Sequence, residues 1–293
     1  MLKVREIIFE LEKIAPPRLA DEGDKIGLQV GSYDADVTKV AVAVDPSVSV
    51  INRAVDSGCE LLVCHHPLIY TPLETLAAGE PTQDKVIKLI KTGTSLYVMH
   101  TNYDSAPGGV NDILAERLGV HNTRLLVTRH RERYLKIAVF TPSESIDVVR
   151  NAMAEAGAGI IGNYDYCSFR TAGTGTFRPL PDAQPYIGEV GQLEEVDEYR
   201  LEMIVPEWRL GPVVDAMIQA HPYEEVAYDV YRLENPPRTY GYGRVGQLDD
   251  PIKLKDYRKL VEDALDYRET RMVGDPERQV KVVAVMSGSG RRY

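Results

Sequence analysis

His65 and His66 stand side by side, and thirty-five residues after His65 comes His100-Thr-Asn-Tyr-Asp104. Three imidazoles and a carboxylate so placed are the usual makings of a site for a first-row divalent metal. Imidazole nitrogen combined with carboxylate oxygen suits Zn, Mn, Fe or Ni, whereas an all-oxygen set would suit Ca or Mg. A lone histidine is more often a satisfied core or surface residue. The set of four reverses that preference and points to a metalloprotein.

The elements that must position these residues are short apolar runs. Glu60-Leu-Leu-Val-Cys64 stops at His65, and Thr94-Ser-Leu-Tyr-Val-Met99 stops at His100. Both read as buried parallel strands. In an open α/β sheet, ligands sit beyond the carboxyl ends of the strands, so the two motifs converge if these strands are neighbours. A His-His step after one strand sends side chains to different sides, able to serve two metals, with Asp104 placed to bridge them.

Around these runs the first third alternates strand and helix: a strand over 37–44, a helix over 47–57, the strand ending at Cys64, and a helix over 82–91. The strand ending at Met99 and a helix over 110–118 continue it. That order predicts right-handed βαβ crossovers and a mainly parallel sheet. After Arg133 the texture changes to strand 134–140, helix 144–156, a Gly- and Thr-rich hairpin region over 163–178, strand 198–205, helix 211–220 and strand 227–233. This β-α-β-β-α-β order is the ferredoxin-like signature. Asn235-Pro-Pro-Arg238 reads as a linker, after which helix 254–265 and strand 280–286 return to the first texture. The expected architecture is a discontinuous three-layer α/β core, residues 1–132 and 236–293, interrupted by a ferredoxin-like (α+β) insert at 133–235.

The chain has 293 residues, 44% hydrophobic and 27% charged, with a net charge of −10. That balance argues against general nucleic-acid binding, which needs clustered Lys and Arg. The basic stretch Thr128-Arg-His-Arg-Glu-Arg133 is broken by acid and reads as solvated loop. Three cysteines without Cys-x-x-Cys spacing fit a reduced cytoplasmic compartment. Val4, Ile7, Ile8, Leu11 and Ile14 form an amphipathic helix closed by Pro16-Pro17, and no run approaches a membrane span. A soluble, cytoplasmic protein is expected.

Gly241-Tyr-Gly-Arg-Val-Gly246 has the spelling of a dinucleotide-binding loop but not its strand-to-helix context, so it reads as a turn. Gly188-Glu-Val-Gly-Gln-Leu193 echoes Gly243-Arg-Val-Gly-Gln-Leu248 and suggests two similar bends. Ser287-Gly-Ser-Gly290 follows a strand, so its N–H groups would face the histidines' crevice, either as a phosphate-holding nest or as plain loop. His221-Pro-Tyr-Glu-Glu225 reads as a structural cap and turn before a second metal site. Cys64 reads as a small buried residue before a nucleophile.

Several words of the sequence are similar to one family. They are Glu22-Gly-Asp-Lys-Ile-Gly-Leu-Gln-Val-Gly31, Cys64-His-His-Pro67 and His100-Thr-Asn-Tyr-Asp-Ser-Ala-Pro-Gly-Gly-Val-Asn-Asp112. Gly162-Asn-Tyr-Asp-Tyr-Cys167, Gly173-Thr-Gly-Thr-Phe-Arg-Pro179 and His221-Pro-Tyr-Glu-Glu225 extend the match into the insert. The chain resembles the GTP cyclohydrolase 1 type 2 homologues, dinuclear-metal proteins related to the NGG-interacting factor, in their longer bacterial form. The insert is similar to signalling and metal-tolerance trimers.

That resemblance implies His65, His66 and Asp104 as metal ligands, with His100 supporting them or binding weakly. It also implies two divalent metal ions (Zn, Mn, Fe or Ni) per complete subunit and a toroidal homohexamer with the metals facing an inner cavity. Family members supply a late His and Glu beyond a Gly-Ser-Gly turn, whereas this sequence stops at Arg291-Arg-Tyr293, so the expectation is either a C-terminally truncated chain holding fewer ions or missing ligands supplied by another polypeptide. Two adjacent metals would activate water to hydrolyse a phosphate ester or nucleotide. The competing expectation is a non-catalytic metal-binding or regulatory scaffold whose insert senses a small-molecule ligand.

Overall fold

The computed structural model describes residues 1–288. The chain divides into two compact units, Met1–His130 together with the stretch from Thr239, and Arg131–Arg238. The first unit opens with β1 (Leu2–Lys3), α1 (Val4–Ile14), β2 (Gly27–Val30), β3 (Asp36–Val37) and β4 (Val40–Ala43). It continues through α2 (Val48–Asp56), β5 (Leu61–Cys64), α3 (Pro81–Thr92), β6 (Ser95–Val98), α4 (Thr101–Ser105), α5 (Val110–Arg117) and β7 (His121–Glu132). One sheet has the order β2-β6-β5-β4, in which β4, β5 and β6 are parallel and β2 is an antiparallel edge.

Successive side chains on a strand face opposite ways, and here both faces are covered. Leu62, Cys64, Leu96 and Val98 pack with Ile51 of α2 and Leu89 of α3. Leu61, Val63 and Tyr97 pack the other way with Val4 and Ile8 of α1. The result is a three-layer α/β core. Each fully buried leucine contributes about 1.5–3 kcal/mol, and every residue of the two strands that end at the histidines is buried.

The strand expected over 37–44 is split. The Glu60 carboxylate accepts from the N–H groups of Thr38 and Lys39 at 3.2 and 2.9 Å, removing them from any ladder. β3 therefore leaves the sheet and pairs antiparallel with β1.

The second unit contains β8 (Tyr134–Pro142), α6 (Ile146–Glu155), β9 (Ser168–Phe177), β10 (Glu194–Pro206), α7 (Leu210–Ala220) and β11 (Tyr228–Arg232). Its sheet order is β11-β8-β10-β9 with every pair antiparallel, the ferredoxin-like arrangement. Ile137, Val139 and Leu201 of the sheet meet Val149 and Met153 of α6 and Met217 of α7 in a buried core.

The first unit resumes with β12 (Arg238–Lys253), α8 (Leu254–Leu265) and β13 (Gln279–Val285), forming a sheet of order β13-β12-β7. Leu118, Leu248, Tyr257 and Val283 share the core beneath it. Two expectations are corrected here. The basic stretch from Thr128 runs as strand through Glu132, with Thr128, Arg129 and Arg131 exposed and Glu132 buried.

Gly241–Gly246 is strand as well, because its glycines serve close packing in place of a turn. A Cβ on Gly241 would stand 2.0 Å from the Val127 carbonyl oxygen, and one on Gly246 would stand 2.3 Å from that of His121. Only glycine lets β7 approach so closely. The echoing phrase at 188–193 lies in the connection between β9 and β10, so the two similar phrases adopt different structures. Among the described residues no helix is long and apolar enough to cross a membrane.

Candidate metal centre

The histidines converge because β5 and β6 are parallel neighbours in register, Cys64 opposite Val98. His65 and His66 leave the end of β5, and His100 leaves the end of β6 and caps α4. Ring centroids lie 5.0 Å apart for His65 and His66, 5.2 Å for His65 and His100, and 5.7 Å for His66 and His100. One ring nitrogen from each lies within 4.8 Å of the others, a grouping able to hold a metal ion.

Each imidazole is held at Nδ1. That of His65 donates to the Met99 carbonyl at 2.9 Å, that of His66 to Asp45 Oδ1 at 2.6 Å, and that of His100 to Asp24 Oδ1 at 2.8 Å. Nδ1 is thereby the protonated nitrogen, which leaves Nε2 as the free lone pair on every ring. Fixing the far nitrogen to a carbonyl or carboxylate is how metal-binding histidines are oriented and made more basic. The donor set fits a divalent ion of the Zn, Mn, Fe or Ni group.

Asp104, one helical turn beyond His100, places Oδ1 3.9 Å from Nε2 of His65. The same oxygen accepts from the Ser287 hydroxyl at 2.8 Å, while the Ser287 N–H donates to Asn111 Oδ1 at 2.9 Å. Asn111 in turn donates to the Asp104 carbonyl at 2.9 Å. Ser287 follows β13, so a third strand end reaches the centre. Its hydroxyl and N–H are thus engaged by Asp104 and Asn111; Ser289 and Gly290 of the suggested phosphate nest lie outside the described residues.

The electrostatics favour a neutral imidazole at His65 and an ionised carboxylate at Asp24. Burial pushes the His65 imidazole below its ordinary value, Asp104 opposes that shift, and His100 and His66 add to it. Burial alone would raise the Asp24 carboxyl. Hydrogen bonds from the Thr101 hydroxyl, from His100 and from the N–H groups of Thr101 and Lys25 outweigh burial and hold it below the carboxylate range.

Asp24 and Asp45 were given no role by sequence reasoning. A signal existed for Asp45, which lies just past the end of β4, the parallel neighbour of β5. Asp24 lies in an irregular loop whose approach to His100 no local pattern reveals.

The other candidates sit elsewhere. His221, at the end of α7, is buried with both nitrogens used: Nε2–H donates to the Phe140 carbonyl at 2.9 Å and Nδ1 accepts from the Tyr223 N–H at 3.1 Å. It is a structural cap. Cys64 is buried in the sheet, and burial, followed by the Asp45 charge, pushes its thiol up to about 12. A thiolate nucleophile is therefore unavailable there at neutral pH.

Comparison with known proteins agrees with this architecture. The GTP cyclohydrolase 1 type 2 homolog of Bacillus subtilis is 43% identical over 289 residues, covering 99% of this chain and 78% of the relative. The protein of the same name from Mycobacterium tuberculosis is 41% identical over 292 residues, covering 99% and 76%. Among solved structures, a Bacillus cereus protein related to NIF3 superposes with a TM-score of 0.84 at 42% identity, covering all of this chain and 78% of that one. The model of the family Duf34/NIF3 (NGG1p interacting factor 3) matches residues 2–293, and the chain belongs to that family.

Proposed function

We propose that this protein is a divalent-metal-dependent hydrolase, with His65, His66 and Asp104 as ligands of a dinuclear centre and a phosphate ester or nucleotide as substrate. The observation that supports it most is the set of three imidazoles with Nδ1 tied and Nε2 free at adjacent strand ends. Divalent ions held there would supply Lewis acidity and lower the pKa of water.

The chain's own residues then have distinct tasks. His65 and His66 present their lone pairs from one strand end, with Met99 and Asp45 setting their orientation. His100, held by Asp24, presents a third lone pair, and its contact with the cluster makes it a ligand candidate equal to the other two. Asp104 is steered by Ser287 and supplies the negative charge that offsets the metal's. The names of the relatives suggest a nucleotide substrate. The same reading carries a homohexamer in the cytoplasm, and light scattering after gel filtration measures the assembly.

Calorimetric titration of Zn or Mn into the full chain tests the centre. His65→Ala, His66→Ala and Asp104→Ala should each lose binding, whereas His221→Ala should retain it. Full metal content in His66→Ala would refute the assignment. Release of phosphate from nucleotides and simple esters, abolished by chelation and by His65→Ala, tests the hydrolase. Tight metal binding without turnover would favour a non-catalytic scaffold.

A further inference from the structure

The second unit holds a cavity of about 490 Å3, a volume typical of small-molecule sites. Strands supply its inner wall, from Phe140 of β8, Phe177 of β9 and Glu198 of β10. The connection between β9 and β10 forms the outer wall with Leu180, Pro185, Tyr186 and Ile187. That connection is tied down by the Gln184 N–H, which donates to both Glu224 oxygens at 3.2 and 3.0 Å, and by the Gly191 N–H, which donates to the Pro179 carbonyl at 2.9 Å.

Three features of the lining select one class of ligand. Tilted rings surround the space: Tyr223 lies 6.3 Å from Phe177 and 6.1 Å from Tyr186, centroid to centroid. Three carboxylates, Glu198, Glu224 and Glu225, join them, and among the described residues none is ion-paired with a Lys or Arg. Among the described residues the only cation in the lining is Arg178, which is exposed. Apolar surface is also left open, with Leu180 67% and Tyr186 55% exposed.

Aromatic faces attract a cation through their quadrupole, and carboxylates that no Lys or Arg neutralises add to the attraction. An anion would meet three negative charges. A neutral ligand would leave the half-buried Glu198 without a counter-charge. Gly175 bears on the same point, since a Cβ there would stand 2.2 Å from Glu198 Oε2. The bare backbone of β9 makes the room in which the Glu198 carboxylate lies against the cavity wall.

We propose that this cavity binds an organic cation, an ammonium group carried on an apolar body. The ammonium sits among Phe177, Tyr223 and Glu198, and the body covers Leu180 and Tyr186. The site is built from the second unit alone and does not depend on the reading of the metal centre.

Acetylcholine and its neutral carbon isostere, 3,3-dimethylbutyl acetate, serve as probes in calorimetry and ligand-observed NMR on the full chain. The cation should bind, and the isostere should bind at least about tenfold more weakly. Glu198→Gln and Phe177→Leu should each weaken the cation by about tenfold while the isostere changes little. Melting temperature confirms that each variant is folded, and Glu225→Gln replaces Glu198→Gln if that one is not. Equal binding of cation and isostere overturns the proposal. So does unchanged cation binding in both folded variants, or no cation binding up to about 10 mM, a strength below any specific site of this size.

Discussion

The tie between Asp24 and His100 makes the proposed metal centre measurable. Asp24 is 5% exposed at its side chain and accepts from His100 Nδ1 at 2.8 Å, from the Thr101 N–H at 3.1 Å, from the Lys25 N–H at 2.8 Å and from the Thr101 hydroxyl. In Asp24→Asn the shape is kept. The charge is lost, and an NH2 group takes the place of the oxygen that faces the Thr101 N–H. Of these four contacts only that to His100 reaches a proposed metal ligand. A hydrogen bond to a charged group is worth about 1.5–3 kcal/mol, so metal affinity should fall about 10–100-fold, the usual effect of removing a group that orients a ligand.

The donor-to-donor conflict at Thr101 should separately cost the metal-free protein about 1–3 kcal/mol. Asp45→Asn is the internal control. Its pair with His66 is open to water, 65% and 47% exposed, so solvent replaces the lost contact and the effect should be under about tenfold. Zn titration by calorimetry at pH 7 on wild type and both variants reads the ranking, with circular dichroism to confirm folding. An Asp45→Asn loss as large as that of Asp24→Asn, or an unchanged affinity in folded Asp24→Asn, would refute the reasoning.

Three further outcomes follow from the same geometry. Arg244 is 5% exposed and forks onto Asp112 at 2.5 and 2.7 Å, so Asp112→Ala should cost about 3 kcal/mol by urea denaturation. The loss stays at the low end because the Gly241 and Gly243 carbonyls still accept from the guanidinium. His221 titrates below its ordinary value, chiefly through burial, with the Phe140 hydrogen bond and Glu198 opposing. Because its folded pKa is depressed, the stability it contributes is complete above about pH 6.5 and is lost as pH falls toward the folded value. Melting of the second unit should therefore drop over that interval, and His221→Gln should flatten the profile. Limited proteolysis should cut first within Glu234–Pro236, which is exposed and outside any strand, and early cuts inside β10 would contradict this.

The strand ends that carry the histidines were legible in the sequence because burial on both faces demands unbroken apolar runs, and Leu61–Cys64 and Ser95–Val98 show them. The alternation of strand and helix, and its change of order after Arg133, were legible for the same reason: hydrophobic period is local. Residues whose roles depend on a distant backbone were not. Gly241 and Gly246 have a turn's spelling, yet they lie in β12 because β7 presses on them, and nothing near them in sequence records that neighbour.

Glu60 removes two N–H groups from a strand more than twenty residues earlier, and only the folded chain brings it there. The centre divides in the same way. Its imidazoles and Asp104 stand in two short motifs, whereas their orientation is set by Asp24, Asp45, Ser287 and a carbonyl at Met99. Composition and spacing therefore determined which atoms could bind a metal. Tertiary structure decided which lone pairs are free to do so, because hydrogen bonds that fix a ring come from whichever strand ends the topology places beside it.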